Sequence, residues 1–309
     1  LSFVLGLLAA LARSDLSFPE AIAKGLSLYL LFAIGFKGGA SVAAHGADLQ
    51  LASALVAGAV LSLLLPFVAF ALLRATTRVS VVDAAAIAGH YGSISIVTFV
   101  AASSLLAALG IAAEGYMVAV AAAMEAPAIL SALWLATRRS GGADRMGGDL
   151  WREILLNGSV ILLLGAFAIG LITGERGMAT ISGFFVVPFN GVLCLFLLDM
   201  GLVAGRGLRG GRGLLSPGLL AFGLMMPLIG GACGLATGLL LGLSTGGVVL
   251  LMVLGASASY IAVPAAMRVA LPEANPALSL TLSLGVTFTF NLTLGIPLYL
   301  MVATAVTGS

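Results

Sequence analysis

The sequence predicts an all-α membrane protein with about ten transmembrane helices in two inverted five-helix repeats, with interrupted helices in spans four and nine. Three observations point to this fold. The 309-residue chain is 61% hydrophobic and only 8% charged, with a mean hydropathy of +1.19. A soluble domain is about 25% charged, so this chain cannot cover a water-facing surface and its natural solvent is a lipid bilayer. Its apolar runs are separated by short charged or Gly/Pro-rich breaks. Finally, two runs rich in small residues, GHYGSISIVT at 89–98 and GASASYIAVP at 255–264, sit inside long apolar stretches, one in each half. In lipid an interrupted helix survives only where its freed backbone groups line a cavity or are buried in protein. Paired interruptions in the two halves of a membrane chain point to a binding site.

The ten spans fall near 1–12, 22–40, 50–73, 82–105, 115–137, 153–173, 182–204, 215–240, 246–270 and 277–305. The first is short against the ~20 residues a bilayer requires. It reads as a truncated or a short helix rather than a signal peptide, because no cleavage-like site follows. With the N-terminus outside, twelve of the fourteen Lys and Arg residues fall in inside loops, and only Lys37 and Arg176 fall on the other side. The positive-inside rule therefore puts both termini outside the cell (inner) membrane. The longest inside loop, 138–152, reads as a cytoplasmic linker between a first repeat at 1–137 and a second at 153–309.

The halves echo each other. Ala33-Ile34-Gly35 in span two matches Asp199-Met200-Gly201 in span seven at an offset of 166, and Gly89 and Gly255 share that offset. Pro66 and Pro227 interrupt spans three and eight, and Glu125-Ala126-Pro127 in span five resembles Gly295-Ile296-Pro297 in span ten. Five spans per copy is an odd number, so the second copy enters the membrane the opposite way up.

A helix N-terminus carries unpaired N–H groups and about half a positive charge, and so attracts anions. Breaks in spans four and nine would bring two such ends together at the midplane. That makes Gly92, Ser93, Ile94 and Ser95 on one arm, and Ser257, Ala258 and Ser259 on the other, the candidate substrate residues. Glycine admits a close backbone approach, and serine hydroxyls donate or accept. The bland alternative is that these small residues cap and pack helices. Four ionisable residues lie in apolar runs, where each needs a cavity or a partner. Glu125, two residues before Pro127, suits a cation or a proton, with helix packing as the alternative. Asn291 offers an amide oxygen, and Thr98 and Tyr260 complete the cation candidates. Asp199 reads as a partner of Lys37 or a strut at a domain interface, Lys37 as a snorkelling residue, and His90 as a satisfied buried histidine. No second His or Cys stands near His90 at metal spacing, so the only metal expected is sodium, as a coupling ion; no other cofactor is expected.

Other classes fit poorly. A net charge of +2 does not suggest a nucleic-acid partner, and Cys194 and Cys233 lie in apolar runs with no disulfide framework implied. An intramembrane enzyme would need a nucleophile–base pair or metal ligands, and the sequence has no HExxH, no second histidine in a span and no convincing acid pair, so the chain does not read as an enzyme. There is no P-loop for direct ATP drive, and the longest loop is too short for the output domain of a sensor.

GHYGSISIVT at 89–98, GASASYIAVPAAMRVALPEANP at 255–276 and GIPLYL at 295–300 resemble the SbtA-type sodium-dependent bicarbonate transporter family over nearly the whole chain, with ALPEANP the most specific piece. The resemblance implies a homotrimer of ten-span protomers, with core and gate domains each drawn from both repeats. It implies import of bicarbonate by sodium symport. It also implies inhibition, in cyanobacterial members, by a PII-like regulatory protein at the cytoplasmic face. The family's substrate site falls on Gly92–Ser95 and Ser257–Ser259 of this chain. Two departures stand beside that site: Tyr260 replaces an acidic residue, and Phe288, Phe290 and Asn291 replace smaller ones. They leave open a proton- or sodium-coupled transporter of another small anion or carboxylate, with protons passing through Glu125.

Overall fold

The structure, a computed structural model, describes residues 1–45, 49–125, 127–140, 158–210, 215–260, 263–264, 266–267 and 271–308. From residue 141 onward, the expected linker at 138–152 lies outside them. Among the described residues the chain is helical and has no strand. Eight stretches are long and apolar enough to cross a membrane, and two shorter apolar helices, Ser2–Leu11 and Thr245–Ala256, accompany them. In chain order the elements are α1 (Ser2–Leu11), α2 (Glu20–His45), α3 (Leu49–Thr76), α4 (Val81–Gly92), α5 (Ile96–Ala108), α6 (Met117–Ala123), α7 (Pro127–Ser140), α8 (Gly158–Phe185), α9 (Phe189–Gly210), α10 (Pro217–Leu240), α11 (Thr245–Ala256) and α12 (Pro276–Thr307).

Two helix pairs form through glycine. A Cβ on Gly35 would stand 2.5 Å from the Leu163 carbonyl oxygen, and one on Gly39 would stand 1.9 Å from that of Phe167, so α2 lies directly on α8. Gly201 and Gly205 make the same approach to Phe3 (2.1 Å) and Leu7 (2.8 Å), which lays α9 on α1. In lipid no hydrophobic force drives such pairs together, and small residues at the seam admit the close packing that does. Gly35 and Gly201 are the matched glycines of spans two and seven, and the structure gives them the same work.

The break in span four is built like the end of α11. Ser80 and Ser244 cap two twelve-residue helices, α4 and α11, with φ/ψ of −58/159° and −58/162°. Ser93 and Ser257 end them at −84/166° and −83/163°. These positions are 164 apart, not 166, so Gly89 lies level with Val253 and Gly255 with Tyr91. The glycines of the two motifs are therefore not equivalents; each is small for its own neighbour, Gly89 for Ala132 and Gly255 for the Gly230 backbone.

Three features depart from the sequence reading. Span five is also broken, between Ala123 and Pro127, because proline lacks the N–H to continue the ladder and its ring crowds the carbonyl four residues back. The Ser62 hydroxyl takes up the freed Met124 carbonyl at 2.5 Å. Pro66 and Pro227, expected to interrupt spans three and eight, lie inside the continuous helices α3 and α10, whereas the first helical stretch of α8 does end near 173, at Gly174, whose φ of 57° favours glycine, before a second stretch runs on to Phe185. In α12 the backbone winds wide, as a π-helix, over Thr281–Phe288 and Asn291–Gly295. Wide turns leave room for the ring of Pro297, which follows them.

The ALPEANP stretch does structural work. Asp83 at the start of α4 accepts the Asn275 N–H at 2.7 Å, and the Asn275 side chain accepts the Ala277 and Leu278 N–H groups at 3.0 and 3.4 Å. Asn275 thus caps α12, with Pro276 at the first helical position, where its missing N–H costs nothing.

Candidate functional site

The two broken stretches are knitted to each other. Ser259 donates its N–H to the His90 carbonyl at 2.7 Å, and the His90 ring meets the Ser259 carbonyl at 2.5 Å through Nδ1. A carbonyl only accepts, so Nδ1 carries the proton and His90 clamps Ser259 from both sides of its backbone. On the other arm Ser95 donates its N–H to the Ser257 hydroxyl at 2.9 Å, and that hydroxyl donates to the Leu254 carbonyl at 2.9 Å. His90 is thus a bonded buried histidine, as its sequence context suggested, although its Nε2 has no hydrogen-bond partner.

These bonds commit the Ser95 and Ser259 N–H groups to the fold. The hydroxyl oxygens are used as well. Ser95 Oγ accepts from the Thr98 N–H (3.3 Å) and hydroxyl (2.9 Å), and Ser259 Oγ accepts from the Val263 N–H at 3.5 Å. What this network leaves over is the hydroxyl hydrogen of each serine, together with the N–H groups of Ile96 and Val97 in the first turn of α5, which helix geometry leaves without intrahelical partners. Those are donors, the groups an anion needs.

Ser95 and Ser259 share a cavity of about 10 Å³ with Ile94, Ile96, Glu125, Tyr260, Leu31 and Leu163. The structure therefore brings Ile94, Ser95 and Ser259 of the substrate candidates together with Glu125 and Tyr260 of the cation candidates. It does not bring the others to that wall. A Cβ on Gly92 would lie 2.3 Å from Pro66 Cγ and 2.8 Å from Ala128 Cβ, so helix packing requires a glycine there. The Ser93 hydroxyl is buried without a partner. Ser257 bridges the arms, and Ala258 is buried. Thr98 orients the Ser95 hydroxyl from one turn along α5. Asn291 donates to the Ala256 carbonyl at 2.9 Å and accepts from the Tyr299 hydroxyl at 3.0 Å, which fixes the end of α11. Leu31 and Leu163, on the paired helices α2 and α8, close the cavity. Nothing in two apolar helices marks those leucines in the sequence.

Tyr260 and Phe288 touch. Their rings meet edge-on at 5.1 Å, and Phe288 in turn meets Phe3 of α1 at 5.3 Å. The Tyr260 hydroxyl is buried beside Ser95 without completing a well-formed hydrogen bond.

A second, larger cavity of about 500 Å³ opens toward the end of the bundle where α5 ends and α9 begins. Its walls include Lys37 and Ser41 of α2, Phe99 and Ser103 of α5, and Glu114. Phe99 is four residues beyond Ser95 on α5, about 6 Å along the helix axis, so this vestibule stops about one turn short of the small cavity. Lys37 points into it rather than to Asp199, which is buried on α9 and feels Arg206 two turns along the same helix. The opposite end of the bundle carries Arg206 and Arg209, which tie α9 to the Leu16 and Ala10 carbonyls at 2.7 Å each.

A search of curated proteins returns no match to the chain. A family model does match it, over residues 1–304, and the chain belongs to the Na+-dependent bicarbonate transporter superfamily.

Proposed function

We propose that this protein is a secondary active transporter that imports bicarbonate with sodium, and that the anion binds between Ser95 and Ser259 while the cation binds at Glu125. The observation that carries the reading is the shared cavity, in which two serines with hydroxyl hydrogens to spare face a buried carboxylate. A space of about 10 Å³ holds about one water, so a four-atom anion requires its walls to part. Those walls come from two groups of helices. Leu31 and Leu163 belong to the α2–α8 pair, and Ser95, Glu125, Ser259 and Tyr260 belong to the broken spans. Movement of the α1, α2, α8 and α9 group against the rest would open the cavity to the vestibule on one side and to the basic end on the other.

The inverted repeat belongs to the same proposal. Two features support it: the matched caps of α4 and α11, and the matched glycine seams of the two helix pairs. So does orientation, with the vestibule outside and the arginine-rich end in the cytoplasm.

Glu125 explains why a cation is required. A carboxylate in the anion's own cavity repels it until sodium neutralises the charge. Carboxylate and phenol oxygens are the hard donors such an ion takes, and Glu125 and Tyr260 supply them. A proton on Glu125 would neutralise the site equally well, and Tyr260 in place of an acid favours that second reading. Uptake of labelled bicarbonate into proteoliposomes separates the two. Sodium symport gives uptake driven by an inward sodium gradient at constant pH. Uptake that ignores sodium and follows a proton gradient replaces sodium with the proton, and no uptake under either gradient refutes the substrate.

A further inference from the structure

The vestibule contains a charge that the transport site does not use. Lys37 lies eight residues before the end of α2 at His45, about 12 Å from that end by helical rise. A lysine that only snorkels sits close to the helix end. Lys37 is instead about two turns deeper, exposed, and in the wall of the 500 Å³ vestibule. It stands six residues from Leu31 of the small cavity, about 9 Å along the axis. An ammonium within a membrane-spanning helix has to face water or a partner.

The other charge among the residues lining the vestibule is already engaged. Glu114 accepts the Ser244 N–H at 2.6 Å and the Ser244 hydroxyl at 3.0 Å. It sits at the start of α11, where the helix dipole favours a carboxylate. Lys37 carries no such anchor. Around it the vestibule presents Ser41, Ser103, Ser104 and Asn190 among apolar residues. A lysine ammonium is a compact, strongly hydrated charge with no fork to grip a ligand. Such a group attracts small anions without selecting their shape or holding them firmly.

We propose that the vestibule is a recruitment site for small monovalent anions, with Lys37 as its charge, one step before the cavity at Ser95 and Ser259. This rests on the reading of the protein as an anion importer. Glu114 keeps its negative charge, but the α11 N-terminus on which it sits offsets part of it, so the potential beside Lys37 is positive, and a cleft with such a potential and low-dielectric walls concentrates anions and raises their rate of arrival. Because the site attracts without selecting, discrimination falls to the serine cavity beyond it.

The vestibule potential can be measured without transporting anything. In the full chain with Cys194→Ala and Cys233→Ala, the change Ser103→Cys places a thiol in the vestibule wall. Methanethiosulfonate reagents of similar size, one negatively and one positively charged, are applied from outside to sealed vesicles. With Lys37 present the negative reagent reacts faster. Lys37→Gln lowers the negative-to-positive rate ratio by about tenfold at low salt, the lower end of electrostatic steering. Lys37→Arg preserves the ratio, and 1 M salt removes most of the difference because the screening length falls to about 3 Å. In uptake assays Lys37→Gln raises the KM for bicarbonate severalfold and leaves kcat unchanged. An unchanged rate ratio in Lys37→Gln overturns the proposal, as does a thiol at position 103 that neither reagent reaches. A ratio that falls as expected in a protein that moves no bicarbonate supports the recruitment site and refutes only the substrate.

Discussion

Replacing Glu125 by glutamine should free anion binding from its need for sodium. Glu125, Ser95 and Ser259 line one cavity of about 10 Å³, so a bound anion and the carboxylate are separated by little more than one small molecule. Two like unit charges ~5 Å apart, at an effective dielectric near 20, repel by about 3 kcal/mol. At about 1.4 kcal/mol per decade, that is roughly a hundredfold in affinity. Sodium on Glu125 removes the repulsion, and reciprocity requires the anion to tighten sodium by the same factor. Glutamine keeps the shape and loses the charge. Calorimetry on purified protein should find bicarbonate bound about a hundredfold more weakly by the parent in sodium-free buffer than in saturating sodium. In Glu125→Gln the sodium dependence should shrink to within about threefold, and a sodium gradient should no longer drive uptake. A variant that keeps the full sodium dependence refutes the charge argument. A folded variant that binds no anion at any sodium concentration would instead make Glu125 an anion ligand.

The remaining predictions test the assignment residue by residue. Ser95→Ala and Ser259→Ala should each weaken bicarbonate binding by about 1 kcal/mol, the net worth of one hydrogen bond; Ser93→Ala, which removes a hydroxyl without a partner, should leave calorimetric affinity unchanged. Gly92→Val should destabilise the protein by about 1–3 kcal/mol through overpacking against Pro66, seen as a lower melting temperature in detergent, so any loss of transport there comes with a loss of folded protein. Asp83→Ala should lower stability by about 1 kcal/mol, because the α4 start and the α12 cap both lean on its carboxylate; an unchanged melting temperature would show that those bonds carry nothing. A thiol introduced at position 308 should react with an impermeant reagent from outside and one at position 143 should not; the opposite pattern would invert the orientation and put the vestibule on the cytoplasmic side.

Much of the fold is legible in the sequence because lipid leaves few options. Hydropathy marks the helices, and small polar residues in the middle of an apolar run mark a break. The residues at the bottom of the site were less legible, and the reason is geometric. At the end of a helix, alternate residues turn to opposite sides. Of Ser93 and Ser95 only Ser95 reaches the cavity, and of Ser257 and Ser259 only Ser259 does; Ser93 is buried without a partner and Ser257 bonds to the other arm. Composition cannot distinguish these positions, and the 166 offset of the glycines misaligned them, whereas the 164 offset set by the four capping serines pairs Ser95 with Ser259. Pro127 announced the third break, yet a single proline is tolerated elsewhere in these helices, at Pro66 and Pro227. What tips the balance in span five is that the Ser62 hydroxyl is placed to take the freed carbonyl.

Tyr260 and Phe288 make better sense together than apart. The Tyr260 ring needs an apolar neighbour; Phe288 on the wide turns of α12 supplies one, and Phe3 of α1 completes the cluster. Tyr260→Asp alone should therefore leave a charge against Phe288 and lower stability, as an unpaired buried charge does. Paired with Phe288→Ser, the same change should recover part of that loss, because the space left by the ring admits water to the carboxylate. If the acid then shares the cation with Glu125, the double variant should bind sodium more tightly than the parent, measured as the sodium concentration that gives half-maximal bicarbonate binding. No gain in sodium affinity, in a double variant that folds, would show that Glu125 holds the ion without help from position 260.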